Sequence, residues 1–243
     1  TLCRSSVCFD FSIHEIFLSL MEHATIVLTC DFKQQGEAYF ARTISRQNVT
    51  VACCVPAMIP LILDDDRECA CACLDQIVCG GEVLPVRTLE RLHSMYAHTN
   101  VYNLYGITEV TVHCTFYDCQ GPDGVGSKDV VGRTGVCIGR PLPNMQIYVL
   151  DGGYAMLPVG ATGEMFVSGH GIARGYLGRP GLTASKFLPN PFRTDGYRMY
   201  ATRDGGKYMG NGQLEYTSRL DGQVKLRGFR IELGEIETVL GQV

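Results

Sequence analysis

Two periods of hydrophobic and polar positions follow one another along this chain, and the change between them divides it. Residues 8–11 are strand-like and run into a helix, where Ser12 and Glu15 make a capping box and Ile13, Ile16, Phe17, Leu20 and Met21 recur at helical spacing. Residues 24–29 read as a strand, 36–46 as a helix, 49–54 as a strand, and 56–63 as a short helix ended by the acidic loop 64–66. A buried strand over 74–79 ends in Gly80-Gly81-Glu82, and a helix over 85–97 carries Pro85 in its first turn, where a fixed φ is an advantage. Residues 99–102 and 110–117 are rich in β-branched and aromatic side chains and read as strands. Such alternation predicts an α/β unit with a mostly parallel sheet flanked by helices, binding ligands at the carboxyl ends of its strands. Asp10, Gly80 and Tyr105 fall at such ends.

After residue 117 the pattern changes. A glycine-rich loop over 120–129 leads to short strands at 145–150, 163–168, 197–202 and 213–217, separated by close turn signals, with a helical break only at 183–187. This spacing predicts a small antiparallel, barrel-like layer. A charged hairpin then leads into a helix starting near Glu232.

Composition narrows the function classes. The chain has 243 residues, 46% of them hydrophobic, and a net charge of −4, so it can bury a large core and offers no surface suited to nucleic acid or membrane. No apolar run approaches the roughly 18 residues of a membrane span, and no signal peptide is present, so a cytoplasmic location is expected. The chain begins at Thr1 in mid-pattern and stops at Val243 within a helical one, and is expected to be a fragment of a longer polypeptide. Its 12 cysteines include Cys53-Cys54 and Cys69-x-Cys71-x-Cys73, spacings unlike the pairs of a zinc site; reduced thiols packed as small hydrophobes are expected. The acidic triplet 64–66 reads as a solvated loop.

Candidate chemistry concentrates in Asn103-Leu104-Tyr105-Gly106-Ile107-Thr108-Glu109. Seven residues offer an amide, an aromatic face for a purine, a glycine that permits close backbone approach, a hydroxyl for a phosphate oxygen, and a carboxylate for Mg2+. A polar turn between two strands has the same composition. Asp10, at a strand mouth before a helix, suits either a cap or a cleft-facing partner for a cation. The stretch 163–177 lacks the spacing of a dinucleotide fingerprint, Gly205-Gly206-Lys207-Tyr208 lacks the hydroxyl residue of a P-loop, and no Gly-x-Ser-x-Gly elbow occurs.

Five motifs in order resemble the amino-acid adenylation domains of nonribosomal peptide synthetases, within the adenylate-forming (AMP-binding) enzymes. Phe9-Asp10-Phe11-Ser12 is similar to Phe-Asp-x-Ser; the 103–109 stretch resembles Asn-x-Tyr-Gly-Pro-Thr-Glu, with Ile107 in place of proline. Residues 163–177 match a glycine-rich motif that is mostly structural in the family. Tyr200-Ala201-Thr202-Arg203-Asp204 resembles Tyr-[Arg/Lys]-Thr-Gly-Asp, with Ala201 replacing a basic residue and Arg203 a glycine, which is costly if that position needs positive φ. Residues 218–237 follow the family's most specific motif, departing only at Ser218.

The resemblance implies an ATP-dependent ligase that makes an aminoacyl adenylate and loads it onto the phosphopantetheine of a carrier domain. It places 1–118 as the second α/β half of a large N-terminal subdomain, 119–220 as the β-rich layer of the same subdomain, and 221–243 as a hinge and the start of a truncated C-terminal subdomain. Asn103 and Tyr105 would hold adenine, with Gly106 also in the nucleotide-binding set; Thr108 would contact phosphate and Glu109 would hold Mg2+, the two acting with Arg219 as the catalytic residues. Asp204 and Arg219 would hold the ribose end, Asp10 the substrate ammonium, and Asp221 the hinge, with Lys225 to Gly228 in the loop that follows. An upstream condensation domain and a downstream carrier domain are the implied partners. The family's phosphate loop would precede Thr1 and its catalytic lysine would follow Val243, so the isolated chain is expected to form no adenylate at a useful rate.

The family's specificity positions carry over to Asp10, Phe11, His14, Cys53, Val78, Gly80, Leu104, Val112 and His113. This set resembles pockets that accept threonine; His14 and Cys53 are unusual in it, and each histidine could equally be a packed core residue. Two other readings remain. An acyl- or aryl-CoA ligase of the same superfamily has no substrate ammonium for Asp10, and an inactive adenylation-like scaffold would account for Ile107, Ala201 and Arg203.

Overall fold

In the computed structural model, residues 1–29, 39–65, 71–120, 134–226 and 229–241 are described. Strands β1 (Leu2–Cys3), β2 (Val27–Leu28), β3 (Val51–Cys54), β4 (Gln76–Gly80), β5 (Asn100–Tyr105), β6 (Thr115–Asp118) and β7 (Arg140–Pro141) form one sheet in the order β2-β1-β3-β4-β5-β6-β7. From β2 through β5 the pairing is parallel, and β6 and β7 close the edge antiparallel. Apolar runs bracketed by helices are what a doubly covered parallel sheet requires. Helices Tyr39–Arg46, Ile59–Asp65 and Val86–Met95 supply Ile44, Ile59, Leu63, Leu89 and Leu92 to a core completed by Ile77 and Val101. This sheet reaches past residue 118, since β7 pairs with β6.

The second sheet holds β8 (Met145–Leu150), β9 (Gly163–Gly169), β10 (Phe187–Pro189), β11 (Arg198–Tyr208) and β12 (Leu214–Arg219), all antiparallel. Met165, Val167, Tyr200 and Leu214 from this sheet pack with Tyr105, Ile107 and Val110, so the two sheets share a core. A hairpin of β13 (Gln223–Leu226) and β14 (Phe229–Glu232) precedes the helix Leu233–Leu240, as the sequence pattern predicts. The helical break falls at Pro180–Lys186, opened by its proline. Parts of several expected elements, namely residues 36–38, Asp66, 121–129, Arg227, Gly228 and Val243, lie outside the described residues, as do Cys30 and Cys69. All the described cysteines are free thiols and most are buried.

Three local expectations are corrected. Residues 8–11 form no strand: the chain turns there, with Phe9 N donating to Ser6 O at 2.8 Å. No capping box joins Ser12 and Glu15. Glu15 is fully buried, and its carboxylate accepts from Arg4 N (3.1 Å), Ser5 N (2.9 Å) and Ser5 Oγ (2.9 Å), satisfying the chain as it leaves β1. The first helix runs through Phe11–Ile13, a π-helical turn His14–Leu18, and Ser19–Met21. It therefore turns Phe11, Ser12, Glu15 and Ser19 inward, leaving Ile13, Phe17, Leu20 and Met21 exposed. The third correction concerns 110–117. Thr108–Val110 is a 3-10 turn, Thr111 and Val112 are left-handed at φ 62° and 68°, and β6 begins only at Thr115.

Candidate functional site

The carboxyl ends of β3, β4 and β5 converge on the residues the sequence singles out. Register makes Cys53 the partner of Val78, and Gly80 the partner of Leu104. Cys53, Val78 and Leu104 form a separate buried cluster on one face of the sheet, with Tyr102 against it. Phe11 covers its end. A Cβ on Gly80 would lie 2.9 Å from the Phe11 ring and 2.9 Å from Leu104 O, so only glycine admits the ring at this distance.

Across from Phe11 stands His113, with ring centroids 5.2 Å apart, and His14 meets His113 edge-on at 5.4 Å. The Nε2 atoms of both histidines are buried without a hydrogen-bond partner. Burial lowers both pKa values; for His113, burial and then the neighbouring His14 push it down to about 3. Both rings are therefore neutral at physiological pH. Val112, next to His113, has a left-handed backbone at φ 68°.

Asp10 makes no capping hydrogen bond to the helix that follows it. Its Oδ2 instead accepts from Thr108 Oγ1 at 2.7 Å, so this carboxylate does not serve as the helix cap. Thr108 opens the 3-10 turn that also carries Glu109. The Glu109 carboxylate points towards the second sheet, where Oε1 accepts from the Tyr176 hydroxyl (2.7 Å) and the Tyr200 hydroxyl (2.9 Å). Gly106 makes its close approach to the chain's own backbone. A Cβ there would lie 2.0 Å from Val112 O and 2.6 Å from His113 Cα, which is why the loop needs a glycine at that position.

Of the remaining candidates, Asn103, Tyr105 and Arg219 line a cavity of about 560 Å³, together with Gly81, Leu104 and Tyr216, among others. Its size lies within the range of small-molecule sites. Asn103 is buried and donates Nδ2 to Cys137 O at 2.9 Å, fixing the amide at the cavity wall. The Tyr105 hydroxyl donates to Asp204 Oδ2 at 2.7 Å, and burial together with the Asp204 charge holds this phenol well above its ordinary pKa. Asp204 is 0% exposed and pairs with Arg219 Nη1 at 3.0 Å, across directly opposed positions of β11 and β12. Arg219 also grips Asp221 with two bonds, Nε to Oδ1 at 2.9 Å and Nη2 to Oδ2 at 2.7 Å, and touches Gln223 Oε1. Asp204, Arg219 and Asp221 are thus one ion-paired network, with the cavity reached through Arg219.

The two departures in the 200–204 motif differ in consequence. Ala201 packs with Leu150, Phe166 and Met199, in a different cluster from its neighbour Tyr200, so it lies away from Glu109. Arg203 has φ 59°, the left-handed region expected for the family's glycine, at the irregularity where the β11–β9 register shifts. Sequence reasoning missed Tyr176, Tyr200 and Tyr216. Tyr176 and Tyr200 lie within the 163–177 and 200–204 motifs, and that position is the signal the sequence offers.

Among the described residues, no helix is long and apolar enough to cross a membrane, and no group of three or more His, Cys, Asp or Glu side chains is arranged to hold a metal. The profile of the family described as AMP-binding enzyme matches residues 1–177. A plipastatin synthase polypeptide of Bacillus subtilis is 39% identical over 98% of this chain, and phosphinothricin tripeptide synthetase PhsB of Streptomyces viridochromogenes 38% identical over 98%. The chain spans 9% and 19% of those two proteins. Among solved structures, holo-PA1221, an NRPS protein containing adenylation and PCP domains, superposes with a TM-score of 0.85 at 25% identity, covering 98% of this chain and 40% of that one. IdnL1 gives a TM-score of 0.85 at 25% identity, over 97% and 48% of the respective chains. With residues 1–177 of its 243 matched by that profile, this chain belongs to the AMP-binding enzyme family, and it is similar along nearly its whole length to nonribosomal peptide synthetases.

Proposed function

We propose that this chain is part of an amino-acid adenylation domain that activates its substrate with ATP and Mg2+ for transfer to a phosphopantetheinyl carrier. The observation that carries the reading is the Asp10–Thr108 bond at 2.7 Å. It sets a carboxylate able to hold an α-ammonium beside a hydroxyl able to hold a phosphate oxygen. An aminoacyl adenylate carries both groups; a fatty or aryl adenylate leaves Asp10 without a cation.

On this reading Asp10 binds the ammonium and turns the substrate carboxylate towards the α-phosphate. A carboxylate oxygen attacks phosphorus, the bond to the pyrophosphate oxygen breaks, and pyrophosphate leaves with the electron pair. In the second step the carrier thiolate attacks the acyl carbon and AMP departs. Both steps depend on positioning and charge neutralisation. Tyr105 and Asn103 face adenine at the cavity wall, Thr108 contacts phosphate, and Arg219 reaches the ribose end with Asp204 behind it. Glu109, a hard oxygen donor on a fixed turn, fits Mg2+, which when bound neutralises phosphate charge. Asp221 is the hinge into the C-terminal subdomain. The carrier domain follows and a condensation domain precedes in the same synthetase, in the cytoplasm.

The side-chain pocket of Phe11, His14, Cys53, Val78, Gly80, Leu104, Val112 and His113 is assigned a small hydroxylated substrate such as threonine. Two neutral imidazoles with unpartnered Nε2 atoms offer hydrogen bonds to a hydroxyl, and the remaining wall is apolar. Amino-acid-dependent pyrophosphate exchange by the domain within its full polypeptide tests the activity. Threonine should exchange faster than valine or aspartate. Hydroxamate formation with aryl or fatty acids in place of amino acids would replace this reading with that of a CoA ligase, and absence of saturable binding of an ATP analogue would leave a scaffold.

A further inference from the structure

The 169–176 loop, whose glycine motif the family resemblance treats as mostly structural, is clamped onto the turn at 108–111. Ala173 N donates to Glu109 O at 2.9 Å, and Thr111 Oγ1 donates to Gly171 O at 2.7 Å. Gly171 lies so close beneath the turn that a Cβ would come within 2.8 Å of Val110 O. The loop then brings Tyr176 to Glu109, and β11 brings Tyr200 from the other side. Their hydroxyl oxygens stand 3.0 Å apart and share one acceptor, Glu109 Oε1. Phe187 packs edge-on against both rings, at 5.6 Å from Tyr176 and 4.9 Å from Tyr200, and Arg198 lies over its face at 5.2 Å. Neither phenol is free to swing away without disturbing that packing.

We infer that Tyr176 and Tyr200 are positioning residues for Glu109: their two hydroxyls, converging on one oxygen, set the orientation in which the carboxylate meets a divalent cation. This rests on the proposed metal role of Glu109. Holding a metal-binding carboxylate by hydrogen bonds from the surrounding protein fixes the oxygen that faces the ion, and loss of such partners typically costs 10- to 100-fold in metal affinity.

The test is Mn2+ binding, followed by electron paramagnetic resonance with a non-hydrolysable ATP analogue present, on the full polypeptide. Tyr176→Phe and Tyr200→Phe delete one oxygen each and keep the rings against Phe187; the double variant and Glu109→Gln complete the set. Each single variant is expected to weaken Mn2+ by several-fold and the double variant by about tenfold or more, with metal-free analogue affinity unchanged. If Glu109→Gln weakens Mn2+ but the double phenylalanine variant binds as the parent does, the positioning role is overturned and the metal role of Glu109 stands. If Glu109→Gln binds Mn2+ normally, the metal role itself fails and this inference with it. Should the double variant fold poorly, Tyr176→Phe alone decides, since Tyr176 is only half-buried.

Discussion

Thr108 Oγ1 donates a 2.7 Å hydrogen bond to Asp10 Oδ2 across 98 residues of sequence, joining the first strand-to-helix turn to the turn after β5. The two side chains have separate jobs in the proposed reaction, so the bond predicts a separable pair of defects. Asp10→Asn keeps the hydrogen-bonding shape and removes the charge; a charge-assisted bond to an ammonium is worth about 1.5–3 kcal/mol, so the amino-acid KM should rise by about 10- to 100-fold. Thr108→Val should depress kcat with less effect on amino-acid KM. Steady-state pyrophosphate exchange separates these; equal defects in both parameters for both variants would mean that the pair acts only as a structural tie.

Arg219 supports a second prediction. Asp204 is 0% exposed and its charge is met by Arg219 Nη1 and the Tyr105 hydroxyl. Removing one partner of a buried pair strands the other, at about 3–5 kcal/mol, whereas an exposed pair would cost under about 1 kcal/mol. Arg219→Ala should therefore lower stability by about 3 kcal/mol in urea denaturation, and Asp204→Asn in the same background should recover part of the loss. A cost below about 1 kcal/mol would place the pair with exposed ones.

Much of this site is legible in the sequence wherever it depends on local pattern. The apolar runs that become β3, β4 and β5 fix their own register by burial, and the register then sets Cys53 beside Val78 and Gly80 beside Leu104. Motif resemblance adds Asp10, Thr108 and Arg219, which the structure brings into contact with other motif residues. What the pattern hides is the work of polar groups that can be satisfied in more than one way. Ser12 and Glu15 have capping-box spacing, yet the buried Glu15 serves the backbone of Arg4 and Ser5, and this inverts the face that the first helix buries. Tyr176 and Tyr200 reach Glu109 across 67 and 91 residues, a relation no periodicity encodes.

His113 predicts a pH dependence. Burial, and then His14, lower its pKa from 6.5 to about 3 in the folded chain. Below pH 6.5 the unfolded state takes up a proton that the folded state refuses, so this group's contribution to stability is complete above that pH and is lost as pH falls towards 3. The slope for one such group is about 1.4 kcal/mol per pH unit. Urea midpoints measured across that window should fall with acidification, and His113→Gln should remove about one proton's worth of the slope. His14, also lowered by burial, adds in the same sense. An unchanged slope in His113→Gln would show that the ring is protonated in the folded chain.

Arg203 carries the last prediction, on a position where the chain departs from its family. At φ 59° an L-residue with a Cβ costs about 1–2 kcal/mol, and glycine does not. Against this stand its bond from backbone N to Glu164 Oε1 at 3.0 Å, which a glycine keeps, and an exposed 3.4 Å ion pair with Glu164 Oε2, which it loses at a cost under about 1 kcal/mol. The balance favours glycine: Arg203→Gly should raise stability by about 0.5–1.5 kcal/mol in urea denaturation. Asp204 follows directly and is held by Thr202 Oγ1, Tyr105 and Arg219, so its geometry should survive the change and ATP-analogue affinity should stay within about twofold. A destabilised variant would mean that the Glu164 pair outweighs the backbone strain at this turn.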